Sequence, residues 1–204
     1  MKNLTTSEER IFKSLSTPSK IQDYLNTLGR RNDTKEPIVR SPRIVMKKKN
    51  ATCMEGALFA LTACIYHKRP AFLLDLQVGS RTGDVDHVVT VFKENGHYGA
   101  LSKTSHAVLR YRDPIYKTVR ELALSYFHEY FDDNGKKNLR AYSKEFNVEK
   151  IAGKDWVTSN DDLYEIACAL DEAPHISLIP KGYEKKLRRA DAIEIAAGKL
   201  VDKS

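Results

Sequence analysis

Residues 50–67 read NATCMEGALFALTACIYH, and three further runs follow within 35 residues: AFLLDLQV at 71–78, DHVVTVFK at 86–93 and HYGAL at 97–101. The first run predicts a helix. Asn50 is a good capping residue, apolar side chains occur on every side between Ala57 and Tyr66, and Pro70 stops the helix near His67. The other three runs predict strands, because they are short and rich in β-branched and aromatic residues. Asn95-Gly96 joins the last two as a tight hairpin turn, so they pair antiparallel. A buried helix followed by hairpin-linked strands predicts an α+β protein with the helix packed on a mainly antiparallel sheet.

Working outward, Thr17-Pro18 with Gly29 brackets an earlier helix that carries Ile21, Tyr24, Leu25 and Leu28 on one face. A polar loop with Pro37 and Pro42 separates it from Asn50. Downstream the pattern predicts a turn at Gly79–Gly83, a short strand at Val108–Arg112 and a helix over Ile115–Phe131. The Tyr126, Phe127, Tyr130 and Phe131 cluster of that helix reads as core. A turn follows at Asp132–Lys137. Arg140–Val148 fits either a strand or a short helix. A helix at Asp161–Asp171, a strand at His175–Ile179 and a basic amphipathic helix from Tyr183 to Val201 complete the reading. At 204 residues the chain predicts one domain over 1–204, with 135–204 as a C-terminal extension packed on the core.

Composition narrows the function classes. Hydrophobic residues at 41% and charged residues at 30% place the chain among globular proteins. The net charge of +7 and pI near 9.2 raise the question of nucleic acid. The basic residues, however, fall in separate clusters (47–49, 136–137, 185–189) without interleaved aromatics, which reads as solvated surface and not as a binding patch. Residues 1–14 lack an apolar run, and the longest such run, 57–66, is half a membrane span, so no membrane association and a cytoplasmic setting are expected. Three cysteines make no disulfide framework, and no Cys or His spacing proposes a metal or cofactor.

Cys53 and His87 carry the chemistry. Cys53 falls in the first turn of the predicted helix, where unpaired backbone N–H groups and the helix dipole favour a thiolate, and Lys47-Lys48-Lys49 precede it. Its pKa is therefore expected below the ordinary value. His87 opens the strand HVVTVFK, from which an imidazole reaches a facing helix end. Nucleophilic cysteine chemistry needs such a partner to hold the thiolate and protonate the leaving group. Cys64 and Cys168 read as small buried hydrophobes, and the other five histidines as helix-end, turn or surface residues. Glu55 reads as a solvated first-turn acid. Gly56 costs about 1 kcal/mol relative to Ala inside a helix, so close packing at that point is expected to compensate.

The stretch Asn50–Leu58, the turn Arg69-Pro70-Ala71, the run Asp84–Phe92 and the hairpin Asn95–Leu101 together resemble the transglutaminase-like superfamily of papain-like Cys-His-Asp proteins. The resemblance covers about Pro18 to Asp113, and the 34-residue spacing from Cys53 to His87 suits it. It implies a nucleophile helix on an antiparallel sheet, with Cys53 as nucleophile and His87 as its base. Ser102 stands where the family carries its acid, about fifteen positions beyond the His, and Asp113 is the next carboxylate. Either Ser102 or Asp113 is expected to orient His87. Val89 stands where the family often has an aromatic. The Cys53 backbone N–H, aided by the Asn50 side chain, is expected to hold an oxyanion.

The resemblance therefore implies a cysteine enzyme that acts on an amide or peptide substrate through a thioester, as a hydrolase or an acyl transferase, without metal or cofactor. The alternatives are a catalytically inactive binding module of the same fold and, less favoured, a basic nucleic-acid-binding protein.

Overall fold

The computed structural model describes residues 3–31, 37–79 and 85–202. In chain order the elements are α1 (Thr6–Ser14), α2 (Pro18–Thr27), β1 (Gly29–Arg30), α3 (Pro42–Lys48), β2 (Asn50–Ala51), α4 (Cys53–Tyr66), β3 (Ala71–Val78), β4 (His87–Glu94), β5 (His97–Leu101), β6 (Arg112–Tyr116), α5 (Val119–Ser125), β7 (Leu139–Ser143), α6 (Glu149–Ala152), α7 (Tyr164–Asp171), β8 (His175–Ser177) and α8 (Ala192–Gly198). Short 3₁₀ turns occupy Phe127–Glu129, Trp156–Thr158 and Tyr183–Lys186. The expected α+β class with an antiparallel sheet is what the chain forms. Among the described residues no helix is long and apolar enough to cross a membrane.

Six strands lie in the order β6-β5-β4-β3-β7-β8, and every neighbouring pair is antiparallel. The Asn95-Gly96 turn closes β4 onto β5 with Glu94 opposite His97; both turn residues have positive φ, +49° and +82°. Side chains alternate between the two faces. Leu74, Leu76, Val89 and Val91 pack with Leu122, Ala123 and Tyr126 on the α5 side. Phe92 and Leu101 join α1, α2 and α4 on the other side, and Leu73 joins α4 with Trp156 and α7. The uniformly apolar α4 is thus wrapped by sheet and helices, and its sequence needs no polar face. Thr90 donates its hydroxyl to the Ala57 carbonyl at 2.6 Å, fixing α4 against β4.

Several expectations are corrected by this arrangement. Thr52, not Asn50, caps α4: Thr52 Oγ1 accepts the Glu55 N–H at 3.2 Å and Glu55 Oε2 accepts the Thr52 N–H at 2.9 Å. That reciprocal pair satisfies two donors at once, which Asn50 cannot do from two residues upstream. Asn50 sits instead in β2, paired parallel to β1. The strand expected at Val108–Arg112 lies at Arg112–Tyr116 and includes Pro114, which an edge strand tolerates. The helix expected over Ile115–Phe131 is confined to Val119–Ser125 plus a 3₁₀ turn. The long basic helix expected at Tyr183–Val201 is a 3₁₀ turn and the seven-residue α8, with Ile193 and Val201 of its expected apolar stripe exposed. A helix that the reading omitted, α1, begins with a Thr5/Glu8 capping box. Residues from 135 onward, expected as an extension on the core, supply β7 and β8 to the sheet itself. The turn expected at Gly79–Gly83 lies mostly outside the described residues.

Candidate active site

Cys53 is the first residue of α4 and His87 the first of β4, so the fold brings two element starts to one end of the sheet. Just there, beyond the end of β5, a cavity of about 550 Å³ is lined by Cys53, Asp86, His87, Lys103, His106 and Glu129 among others. The packing of α4 explains the approach. Glu55, one turn into the helix, is fully buried and anchors the helix start through ion pairs with Arg31 and Arg40; Arg40 Nε lies 2.9 Å from Glu55 Oε1. The expectation of a solvated acid at Glu55 is thereby overturned. Gly56 lets the chain after β5 approach: a Cβ there would stand 2.3 Å from the Lys103 Cβ. The close packing expected at Gly56 is present.

Cys53 is half-buried as a residue, and its buried sulfur has backbone N–H groups of Val88, Met54 and Cys53 itself directed at it. Burial nonetheless pushes its pKa up, and the Asp75 carboxylate adds to the rise, with those N–H groups opposing. The expectation of a depressed thiol pKa is corrected for a physical reason. Lys47, Lys48 and Lys49 end α3 as exposed residues, where water screens them, and desolvation at the sulfur outweighs the helix start. Burial, and then the neighbouring His106, pushes the His87 imidazole down to about 4, against a partial pull from the Leu109 carbonyl. At rest the cavity holds a thiol and a neutral imidazole.

Which nitrogen of His87 carries the proton follows from the partners. His87 Nε2 lies 2.8 Å from Ser102 Oγ, and Ser102 Oγ donates to the Leu109 carbonyl at 2.6 Å. The hydroxyl has one proton, and a carbonyl can only accept. The Ser102 proton is therefore spent on Leu109, and Nε2–H must donate to Ser102. Nδ1 is left as the basic nitrogen of the ring. Leu109 itself stands at φ +61°, a conformation unfavourable for leucine, and its N–H is gripped by Glu129 Oε2 at 2.8 Å. Glu129 is in turn paired to Arg112 at 2.7 Å. A chain of contacts thus runs from Arg112 through Glu129, Leu109 and Ser102 to His87.

Of the two residues expected to orient His87, Ser102 occupies the place. Asp113 lies exposed on the edge strand β6, where its charge acts on the Tyr111 hydroxyl. Asn50, expected to aid an oxyanion, is tied by its Oδ1 to Arg40 at 2.8 Å and is not among the residues that line the cavity; Cys53 is. Glu129 and Leu109 escaped the sequence reading, because nothing in the pattern marks an acid that acts through a backbone N–H. His106 lines the cavity and His175 pairs with Asp75, where helix-end, turn or surface positions were expected, and Cys168 is exposed although a buried residue was expected; Cys64 is buried as expected. No known family model matches the sequence, and no curated protein matches it.

Proposed function

We propose that the chain is a cysteine enzyme of transglutaminase-like fold that acts on an amide or peptide bond through a thioester. The observation that carries this reading is the Ser102-fixed tautomer: with Nε2–H committed, His87 keeps Nδ1 as a base in the cavity that also holds the Cys53 thiol. In this scheme the neutral imidazole takes the thiol proton as the sulfur adds to the substrate carbonyl. The imidazolium then returns that proton to the leaving amine as the C–N bond breaks. The first-turn N–H groups of α4 stabilise the oxyanion. Water or a second amine next attacks the thioester and releases the thiol.

The test is acylation by p-nitrophenyl acetate, followed by intact-protein and peptide mass spectrometry in a Cys168→Ser background. An acetyl thioester on Cys53 is expected, with release of p-nitrophenolate. Cys53→Ala should abolish it, and His87→Gln should slow it by about 10²-fold or more. Equal rates in Cys53→Ala end the reading. One observation favours a second reading, a binding module that retains the pair without catalysis: Ser102 provides no negative charge to stabilise an imidazolium. That reading expects no acylation at Cys53 above the rate of the His87→Gln variant.

A further inference from the structure

A second cluster lies beside the cavity, built from residues that the thioester scheme does not use. Asp75 on β3, Asp86 before β4 and Asp171 at the end of α7 each present a carboxylate oxygen, all within 4.8 Å of one another. They grade from buried Asp75 through half-buried Asp86 to exposed Asp171, which leaves a path from solvent. Three carboxylates at this spacing repel one another, and only part of that is offset within the protein. Asp86 Oδ1 accepts the Val78 N–H at 2.7 Å, and Asp75 Oδ2 faces His175 Nε2 at 3.0 Å. Asp75 Oδ1, on a residue only 2% exposed, has no hydrogen-bond partner. A buried carboxylate oxygen without a partner needs a counter-charge or a proton.

The imidazole adds to the argument. His175 Nδ1 lies 2.6 Å from the Ala173 carbonyl and so must carry a proton. Nε2 faces Asp75 Oδ2 directly at 3.0 Å, so the imidazole engages that oxygen and leaves Oδ1 as the one without a partner. For ligands at about 2.1 Å from an octahedral ion, cis donors stand about 3.0 Å apart and trans donors about 4.2 Å apart. The 4.8 Å limit on the three aspartates allows cis and trans positions around such an ion after a small closure.

We propose that Asp75, Asp86 and Asp171 form a binding site for an oxygen-preferring divalent cation. Three carboxylates match Mn²⁺ or Mg²⁺ and lack the thiolates that select softer metals. The ion ties β3, the start of β4 and the end of α7 together next to His87. Its binding does not require the thioester chemistry.

The test uses the full chain, freed of metal with a chelator and titrated with Mn²⁺ at neutral pH, with loss of the free-ion EPR signal as the readout. One Mn²⁺ per chain is expected to bind below about 1 mM, displaced by excess Mg²⁺. Asp171→Asn, at an exposed position where the fold does not depend on it, should weaken binding more than tenfold, and Asp75→Asn should do the same. Glu172→Gln, the exposed acid next in sequence, should bind as the parent does. Should Asp75→Asn fail to fold, Asp171→Asn decides alone. Undiminished free Mn²⁺ signal at 1 mM, or an Asp171→Asn chain that binds like the parent, overturns the site and leaves a proton as the counter-charge of Asp75.

Discussion

Replacing Ser102 by alanine removes one oxygen and breaks two hydrogen bonds in a place with 1% exposure. The His87 Nε2–H loses its acceptor at 2.8 Å, and the Leu109 carbonyl loses its donor at 2.6 Å. A buried donor or acceptor left without a partner costs about 1–3 kcal/mol, so the two together cost about 2–6 kcal/mol. The Leu109 carbonyl, which already acts on the ring, can take the ring N–H directly if the gap closes, and that sets the lower end of the range. Release of the left-handed strain at Leu109 returns about 1 kcal/mol if the loop relaxes. The net expectation is a loss of about 1–5 kcal/mol in urea unfolding at pH 7, together with a change from a pure Nε2–H tautomer to a mixture in imidazole ¹⁵N shifts. A loss under about 0.5 kcal/mol with the tautomer unchanged would refute the assigned proton positions.

Gly56→Ala should lower the midpoint of thermal unfolding: the new Cβ meets the Lys103 Cβ at 2.3 Å and Cγ at 2.9 Å, an overlap costing about 1–3 kcal/mol, against a helix-propensity gain of about 1 kcal/mol. A rise in the midpoint contradicts the close approach. His87 ties stability to pH in a definite direction. Its folded pKa of about 4 lies below the ordinary 6.5, so the unfolded chain binds more protons between those values. This contribution is complete above about pH 6.5 and is withdrawn as pH falls toward 4, in all about 3 kcal/mol. His87→Gln should flatten urea stability over that window relative to the parent, and an identical pH slope in the two chains defeats the argument. In alkylation by iodoacetamide at pH 7, exposed Cys168 should react first and Cys53 more slowly, accelerating as pH rises because its thiol is pushed up. Cys64, buried and pushed up to about 12, should react last. Fastest labelling at Cys53 near pH 6 would show that the thiolate is already formed.

Local patterns reveal much of this molecule, and the reason is visible in which elements were anticipated. The helix at Cys53–Tyr66, the strands at Ala71–Val78 and His87–Glu94, and the Asn95-Gly96 hairpin all follow from contiguous periodicity and turn chemistry, which act over a few residues. Cys53 follows from its place at a helix start, and Ser102 from its spacing beyond His87 in the family resemblance. The thiol pKa was not, because first-turn N–H groups are visible in sequence whereas desolvation depends on what the rest of the chain packs over the sulfur. Glu55 illustrates the same limit. Its capping-box spacing from Thr52 is legible, but the burial with Arg31 and Arg40 depends on a loop that arrives from 15 to 24 residues upstream. The Asp75, Asp86 and Asp171 cluster has no motif, since its members come from a strand, a loop and a helix end nearly a hundred residues apart.

The identity of residue 102 sets what the imidazole can do. A carboxylate at that place would hold Nε2–H and favour the imidazolium, but it would also face the Leu109 carbonyl, which sits 2.6 Å from Ser102 Oγ. Two acceptors cannot share that contact, so the turn that brings Leu109 inward at positive φ suits a hydroxyl and opposes an aspartate. Glu129 reaches His87 through the Leu109 peptide and the Ser102 hydroxyl. Such a relay orients the ring while leaving it neutral, in line with an imidazole pushed down to about 4 and a thiol pushed up. In the proposed thioester scheme, proton transfer therefore has to accompany bond formation at the sulfur instead of preceding it. Ser102→Asp should accordingly unfold more readily than Ser102→Ala, because it adds a charge where the backbone already presents an oxygen.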